Sequence, residues 1–268
     1  MNLLILGDIM GPSGRKVLKS NLEEIIKEKK IDFTIINGEN AAEDGKGITR
    51  EIASDFFKIG VDVITSGNHI WDKKETVAFI GEEKRLLRPA NLVEGSPGNG
   101  YGSYLCKNKK YKVSVINLMG NVFMRKTNDA FLVAQSLQSK IKLKKNSDFI
   151  VVDFHGEITS EKNAIGHFYD GKATAVVGTH THIPTADSRI LSKGTAYQTD
   201  IGMCGDYDSV IGMNKENSLM KFLKNKSSKN HFPANGLGTL SGLIVEADNN
   251  TGLAINVERF IRGGVLNN

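Results

Sequence analysis

The stretch GTHTHIP, Gly178 to Pro184, sets His180 and His182 one residue apart at the end of the apolar run ATAVV. Neutral imidazole is the commonest metal ligand and also a carrier of protons near neutral pH. The pair therefore suits a metal site or a proton transfer. In an extended chain alternate side chains share a face, which predicts that His180 and His182 point one way and Thr181 the other. Two histidines on a solvated strand edge, with no chemistry, fit the same seven residues.

Other donors occupy equivalent places. The predicted strand over 2–7 runs into Gly7-Asp8, 32–37 into Gly38-Glu39-Asn40, 61–66 into Gly67-Asn68-His69, 148–154 into His155-Gly156, and 173–178 into His180 and His182. Ligands of open α/β sheets bind beyond the carboxyl ends of the strands. Each end is weak evidence alone, since an aspartate there commonly serves a turn. Five such ends, most beside a glycine that lets the backbone bend sharply, are hard to obtain from turn chemistry. Carboxylates, carboxamides and imidazoles without thiolates favour Fe(II), Mn(II) or Zn(II). Seven or eight donors exceed one four-coordinate ion. They suit two ions sharing a bridging carboxylate, an arrangement that activates water for displacement at phosphorus.

These donors need a scaffold, and the hydrophobic pattern supplies one. Apolar runs alternate with amphipathic stretches: a helix over 12–30, with Val17, Leu18, Leu22, Ile25 and Ile26 inward, and another within 49–60, with Thr49 as N-cap and Gly60 as its stop. Asp72 and Glu75 resemble a capping box for a helix over 72–80. A loop is expected over 94–103, a strand over 111–118, a helix over 129–143 and a short helix near 160–168. The last third reads as antiparallel strands, TAYQTDIG among them, with DNNTG (248–252) as a hairpin turn. Repeated strand–loop–helix order makes this an α/β fold, and the absence of a linker or repeat predicts a single domain over 1–268.

The 268 residues are 40% hydrophobic and 24% charged, ordinary for a globular chain, with 35 Lys and Arg against 30 Asp and Glu for a net charge of +5. That balance suits anionic ligands. The lysine clusters at 107–112, 140–145 and 224–229 lack interleaved aromatics and read as solvated loops and helix ends rather than a nucleic-acid groove. Cys106 and Cys204 form no CxxC motif and fit a reducing cytoplasm. The N-terminus lacks the basic region of a signal peptide, and no run approaches the 18 or so apolar residues of a membrane span. The expected location is cytoplasmic.

In order along the chain, GD (7–8), GNH (67–69), the isolated His155 and GTHTH (178–182) resemble the motif series of calcineurin-like metallophosphoesterases. The resemblance is closer to the YmdB-like branch, through NGENAA (37–42), SGNHIWD (66–72), RPAN (88–91), GTHTHIPTAD (178–187) and YDSVIGM (207–213). It implies a four-layer αββα sandwich with two mixed β-sheets, two divalent metal ions (iron first, manganese or zinc as alternatives) and hydrolysis of 2′,3′-cyclic nucleotides by in-line attack of a metal-bridging hydroxide. The substrate class implied is a small phosphodiester such as a cyclic nucleotide; RNA is left open but not indicated, no membrane is involved, and a homo-oligomer is left open.

The resemblance assigns Asp8, Glu39, Asn40 and His182 to one ion, and Glu39 as the bridge with Asn68, His155 and His180 to the other. Where the broad superfamily reads Asp-x-His, this chain has Asp8-Ile9-Met10. Methionine is a poor ligand for a hard ion, and Asn40 is the substitute the branch implies. His69 is the expected catalytic acid, protonating the leaving oxygen or polarising the phosphate; the alternative is a histidine that orients Asn68. Asp187 and Asp200 either support the histidine loops or cap turns, and Arg15 and Arg125 have the reach for a phosphate. His167 and His231 read as surface residues. A regulatory nucleotide-binding protein with a vestigial metal site, which Met10 favours, and a phosphomonoesterase are the competing functions.

Overall fold

A computed structural model describes residues 1–107, 110–224 and 231–266. The elements run β1 (Asn2–Ile9), α1 (Gly11–Glu28), β2 (Phe33–Asn37), α2 (Arg50–Lys58), β3 (Val63–Thr65), α3 (Lys74–Phe79), β4 (Tyr101–Leu105), β5 (Lys112–Met119) and α4 (Ala130–Lys140). They continue with β6 (Phe149–His155), α5 (Thr159–Tyr169), β7 (Ala175–Thr179), β8 (Arg189–Ile190), β9 (Ala196–Gln198), β10 (Met203–Asp206), α6 (Lys215–Phe222), β11 (Gly238–Ala247) and β12 (Ala254–Arg262). The strands form two six-stranded mixed sheets, ordered β12-β11-β10-β1-β2-β3 and β4-β5-β6-β7-β9-β8.

Alternation along the strands explains the layering. Leu3 and Ile5 of β1, with Phe33 and Ile35 of β2, meet Val113, Val115, Phe149, Val151 and Val177 of the other sheet in one core. Their neighbours Leu4, Leu6 and Ile36 turn the opposite way onto Leu18, Leu22 and Ile25 of α1 and Phe56 of α2. On the far side Ile116, Ile150, Val152 and Val176 pack against Ala134 and Leu137 of α4 and Ile165 and Tyr169 of α5. Strands buried on both faces read as continuous apolar runs, and the result is a four-layer αββα sandwich. Each Val, Leu, Ile or Phe side chain so withdrawn from water contributes about 1.5–3 kcal/mol.

Thr49 caps α2 as expected, its side chain accepting from the Ile52 N–H, and Asp129 caps α4. The capping box at Asp72 does not form. Lys73 occupies the cap position of α3 without a side-chain bond, because Asp72 is held by His69 and Arg125 and Glu75 accepts from the Arg50 N–H. Within the expected loop over 94–103, Tyr101 already begins β4, an edge strand paired with β5. The segment TAYQTDIG is not purely antiparallel: β9 pairs parallel with β7 and antiparallel with the two-residue β8. The lysines at 140, 142 and 145 are exposed and Lys144 pairs with Asp148. Most of the 224–229 cluster, and residues 108–109 of the 107–112 cluster, lie outside the described residues. No helix among those described is long and apolar enough to cross a membrane.

Candidate metal centre

The carboxyl ends of β1, β2, β3, β6 and β7 bring the donors to one edge of the sandwich. The register of β1 against β2 shifts between Leu6 and Asp8, an irregularity of the kind that re-aims a side chain beside a site. Asp8 is fully buried. One carboxylate oxygen accepts from the His180 N–H (3.1 Å); the other, Oδ1, lies 3.7 Å from His155 Nδ1 and has no hydrogen-bond partner. Glu39, 1% exposed, accepts from the His69 N–H through Oε2 (3.0 Å) and sits 3.0 Å from His155 Nε2 through Oε1. Gly67 passes across this floor, where a β-carbon would overlap both the His155 ring and the Glu39 carboxylate.

Hydrogen bonding fixes which imidazole nitrogen faces the centre. The single proton of the Thr179 hydroxyl goes to Asp153 Oδ1 (2.7 Å), so Thr179 Oγ1 accepts from His155 Nδ1 (3.0 Å). His155 Nε2 then faces Asn68 Oδ1 (3.1 Å), Glu39 Oε1 (3.0 Å) and His180 Nδ1 (3.1 Å). His180 Nε2 is taken by Glu157 at 3.0 Å, which leaves Nδ1 as its inward atom. His182 donates Nδ1–H to the Ile211 carbonyl (2.8 Å) and turns Nε2 to Asn40 Oδ1 at 3.3 Å. Asn40 in turn donates Nδ2–H to the Gly45 carbonyl (2.9 Å), so its oxygen, not its nitrogen, points inward.

Charge balance follows from burial. Burial lifts the Asp8 carboxyl to about 6 against the pull of His182 and His155. It would lift Glu39 too, but the His155 ring outweighs it and holds that carboxyl at about 2. Burial disfavours a charged His155, yet Glu39, Asp8 and Asp153 together raise it to about 9. Burial and the adjacent His155 push His180 down to about 3, which keeps its lone pair available at neutral pH. The acidic floor thus attracts positive charge. A divalent cation fits these residues: the donors are oxygens and imidazole nitrogens, one buried carboxylate oxygen is unpartnered, and ligand atoms of Glu39, His155 and His180 lie within 4.8 Å of one another.

A family model described as YmdB-like protein matches residues 4–260. The chain belongs to the YmdB-like family. It is 46% identical over 261 residues, 97% of either chain, to a Bacillus subtilis protein named 2′,3′-cyclic-nucleotide 2′-phosphodiesterase. Two crystal structures of similar proteins superpose with a TM-score of 0.89. One, described as a novel phosphatase from Mycoplasma pneumoniae, is 36% identical and covers 98% of this chain and 93% of its own. The other, a hypothetical protein from Thermus thermophilus, is 35% identical and covers 98% and 100%.

Several site expectations change against this YmdB-like chain. Strand β7 ends at Thr179, and His180 and His182 have φ of 103° and 66°. The two histidines are therefore not alternate residues of an extended strand but left-handed corners of a turn, a region bulky residues rarely adopt. Met10, 3% exposed, packs against Gly45 and Gly212 and fills an apolar niche. Arg15 is engaged by the Ala41 carbonyl (2.6 Å) and Glu43 (2.7 Å). Arg125 reaches Asp72 (3.3 Å), whose other oxygen accepts from His69 Nδ1 (2.8 Å). His167 and His231 are exposed, and Asp187 accepts from Thr185, Thr199 and Arg189.

The sequence did not single out Asp153, Glu157 or Thr179, and it marked Asp72 only as a helix cap rather than as the partner of His69. Asp153 carried a readable signal, a lone charge inside the apolar run FIVVDFH. Its carboxyl, raised by burial, also accepts from Thr65 and Asn37. Glu157, half-exposed in a loop, carried none.

Proposed function

We propose that the chain is a dinuclear-metal phosphodiesterase that opens 2′,3′-cyclic nucleotides, acting as one domain over residues 1–268. The observation that carries this reading is the ring of acceptors around His155 Nε2, formed by Asn68, Glu39 and His180 beside the unpartnered Asp8 Oδ1. The substrate class comes from the Bacillus subtilis relative. Asp8, Glu39, Asn40 and His182 would hold one ion; Glu39, Asn68, His155 and His180 the other. Two divalent ions supply a water of lowered pKa and neutralise charge on the phosphoryl oxygens. Iron is the first choice, manganese or zinc the alternatives, because the donor set is borderline-to-hard.

The chain's own residues provide the remaining chemistry. Asp72 accepts a hydrogen bond from His69 Nδ1–H, so the doubly protonated ring presents its Nε2–H to substrate. His69 protonates the ribose 2′ oxygen as its bond to phosphorus breaks, leaving a nucleoside 3′-monophosphate. Arg125, on the other oxygen of Asp72, holds the dyad in place. The Glu39 carboxylate fixes the His69 backbone, so acid and bridge share one geometry.

A phosphomonoesterase is the second reading, favoured by the Mycoplasma pneumoniae structure described as a phosphatase. Comparing a 2′,3′-cyclic nucleotide with the corresponding monophosphate as substrate separates the two. Release of inorganic phosphate from the monophosphate, with the cyclic compound untouched, would overturn the diesterase reading. Metal-loaded protein inert toward both would favour a regulatory role.

A further inference from the structure

We propose that Lys162 and Asp200 are positioning residues for the metal donors: a buried ion pair that sets the turn carrying both histidines. The inference rests on the metal reading of the site above. Lys162 is the one fully buried lysine among the described residues, and its Nζ lies 2.6 Å from Asp200 Oδ2, each side chain 1% exposed. That same oxygen accepts from the backbone N–H and the hydroxyl of Thr181, at 3.1 and 2.8 Å. Thr181 stands between His180 and His182, both of which have left-handed φ. Strained backbone of this kind persists only where its surroundings over-determine it, and Asp200 supplies two of the constraints.

The same aspartate reaches the other sheet. Its Oδ1 accepts from the Gly202 N–H (2.8 Å), and the Gly202 carbonyl accepts from the Asp8 N–H (3.2 Å). A chain of bonds thus runs from Lys162 on α5, through Asp200, to Thr181 on one side and to the backbone of Asp8 on the other. Gly178 makes room for it: a β-carbon there would collide with the Thr199 carbonyl and press on the Lys162 stem. This chain of bonds links the two sheets at the place where donors from each are proposed to meet one ion. Removing hydrogen bonds that orient metal ligands typically weakens metal affinity by about 10–100-fold. A buried pair used to fix a geometry, rather than for stability alone, is an attested role.

The test is Lys162→Met, measured in two ways. In metal-free protein, amide hydrogen exchange at 180–182 should accelerate by about tenfold or more, while the amides of the β11–β12 hairpin keep their protection. Titration with Mn²⁺ should show about 10–100-fold weaker uptake, and kcat should fall with little change in KM. Thr181→Val removes one donor to Asp200 without stranding a buried charge. It should move both readouts the same way by less, and carries the test where Lys162→Met does not fold. Wild-type protection at 180–182 together with wild-type Mn²⁺ affinity, in a folded variant, overturns the inference alone. Wild-type protein that takes up no Mn²⁺ overturns the metal reading and the inference with it.

Discussion

His182 Nε2 lies 3.3 Å from Asn40 Oδ1, and the two residues come from opposite sheets. Asn40 is oriented by the Gly45 carbonyl and His182 by the Ile211 carbonyl, so both present lone pairs. Met10, at the position where the superfamily pattern has histidine, packs as an apolar side chain instead. Asn40→Ala should therefore lower the metal content of the loaded protein from two ions per chain toward one. Asn40→Asp, which keeps an oxygen there, should retain two. Elemental analysis of the purified variants checks both.

His69→Ala should reduce kcat by about 10²–10⁴-fold, the usual share of a positioned acid, with two ions still bound. Asp72→Asn should lower kcat by less, because the histidine stays but its Nδ1 partner loses its charge. Steady-state kinetics beside metal analysis separates this from a structural role, in which metal would be lost together with activity.

Thr179→Val should cost about 10–100-fold in metal affinity without contact to any ion. The hydroxyl links His155 Nδ1 to Asp153; without it the imidazole is free to take the wrong tautomer and Asp153 loses a donor. Isothermal titration of stripped protein with Mn²⁺ reads the change, and unaltered affinity would show that the link does not hold the ring.

Gly67→Ala should be nearly inactive, with kcat/KM down by about 10²-fold or more. The added methyl would overlap His155 and Glu39, and no flexible side-chain end is available to yield. Loss of metal in a protein with an unchanged circular dichroism spectrum is the expected outcome.

Much of this site was legible in the sequence because strand ends are local features. An apolar run followed by glycine and a donor marks a carboxyl edge, and Asp8, Glu39, Asn68 and His155 all stand at one. The turn at 180–182 was not legible. Alternation holds only while the ladder continues, and bonds from Asp200 and Asp8, distant in sequence, end it at Thr179 and twist the histidines into left-handed corners. The capping signal at Asp72 failed for a related reason: a carboxylate that suits a cap is also a partner for His69 and Arg125. Short elements such as β8 and β10 are too brief to carry a period, and Lys162 reads from its own segment as a surface lysine of an amphipathic helix.

The central claim, a two-ion centre that opens a cyclic phosphodiester, is tested most directly by one titration. Protein stripped of metal is loaded stepwise with Mn²⁺, and the initial rate of 2′,3′-cyclic AMP hydrolysis is followed at each step. A two-ion centre predicts no hydrolysis without metal and a rate that reaches its plateau at two ions per chain. Full activity in stripped protein, or no hydrolysis with two ions bound, would contradict it.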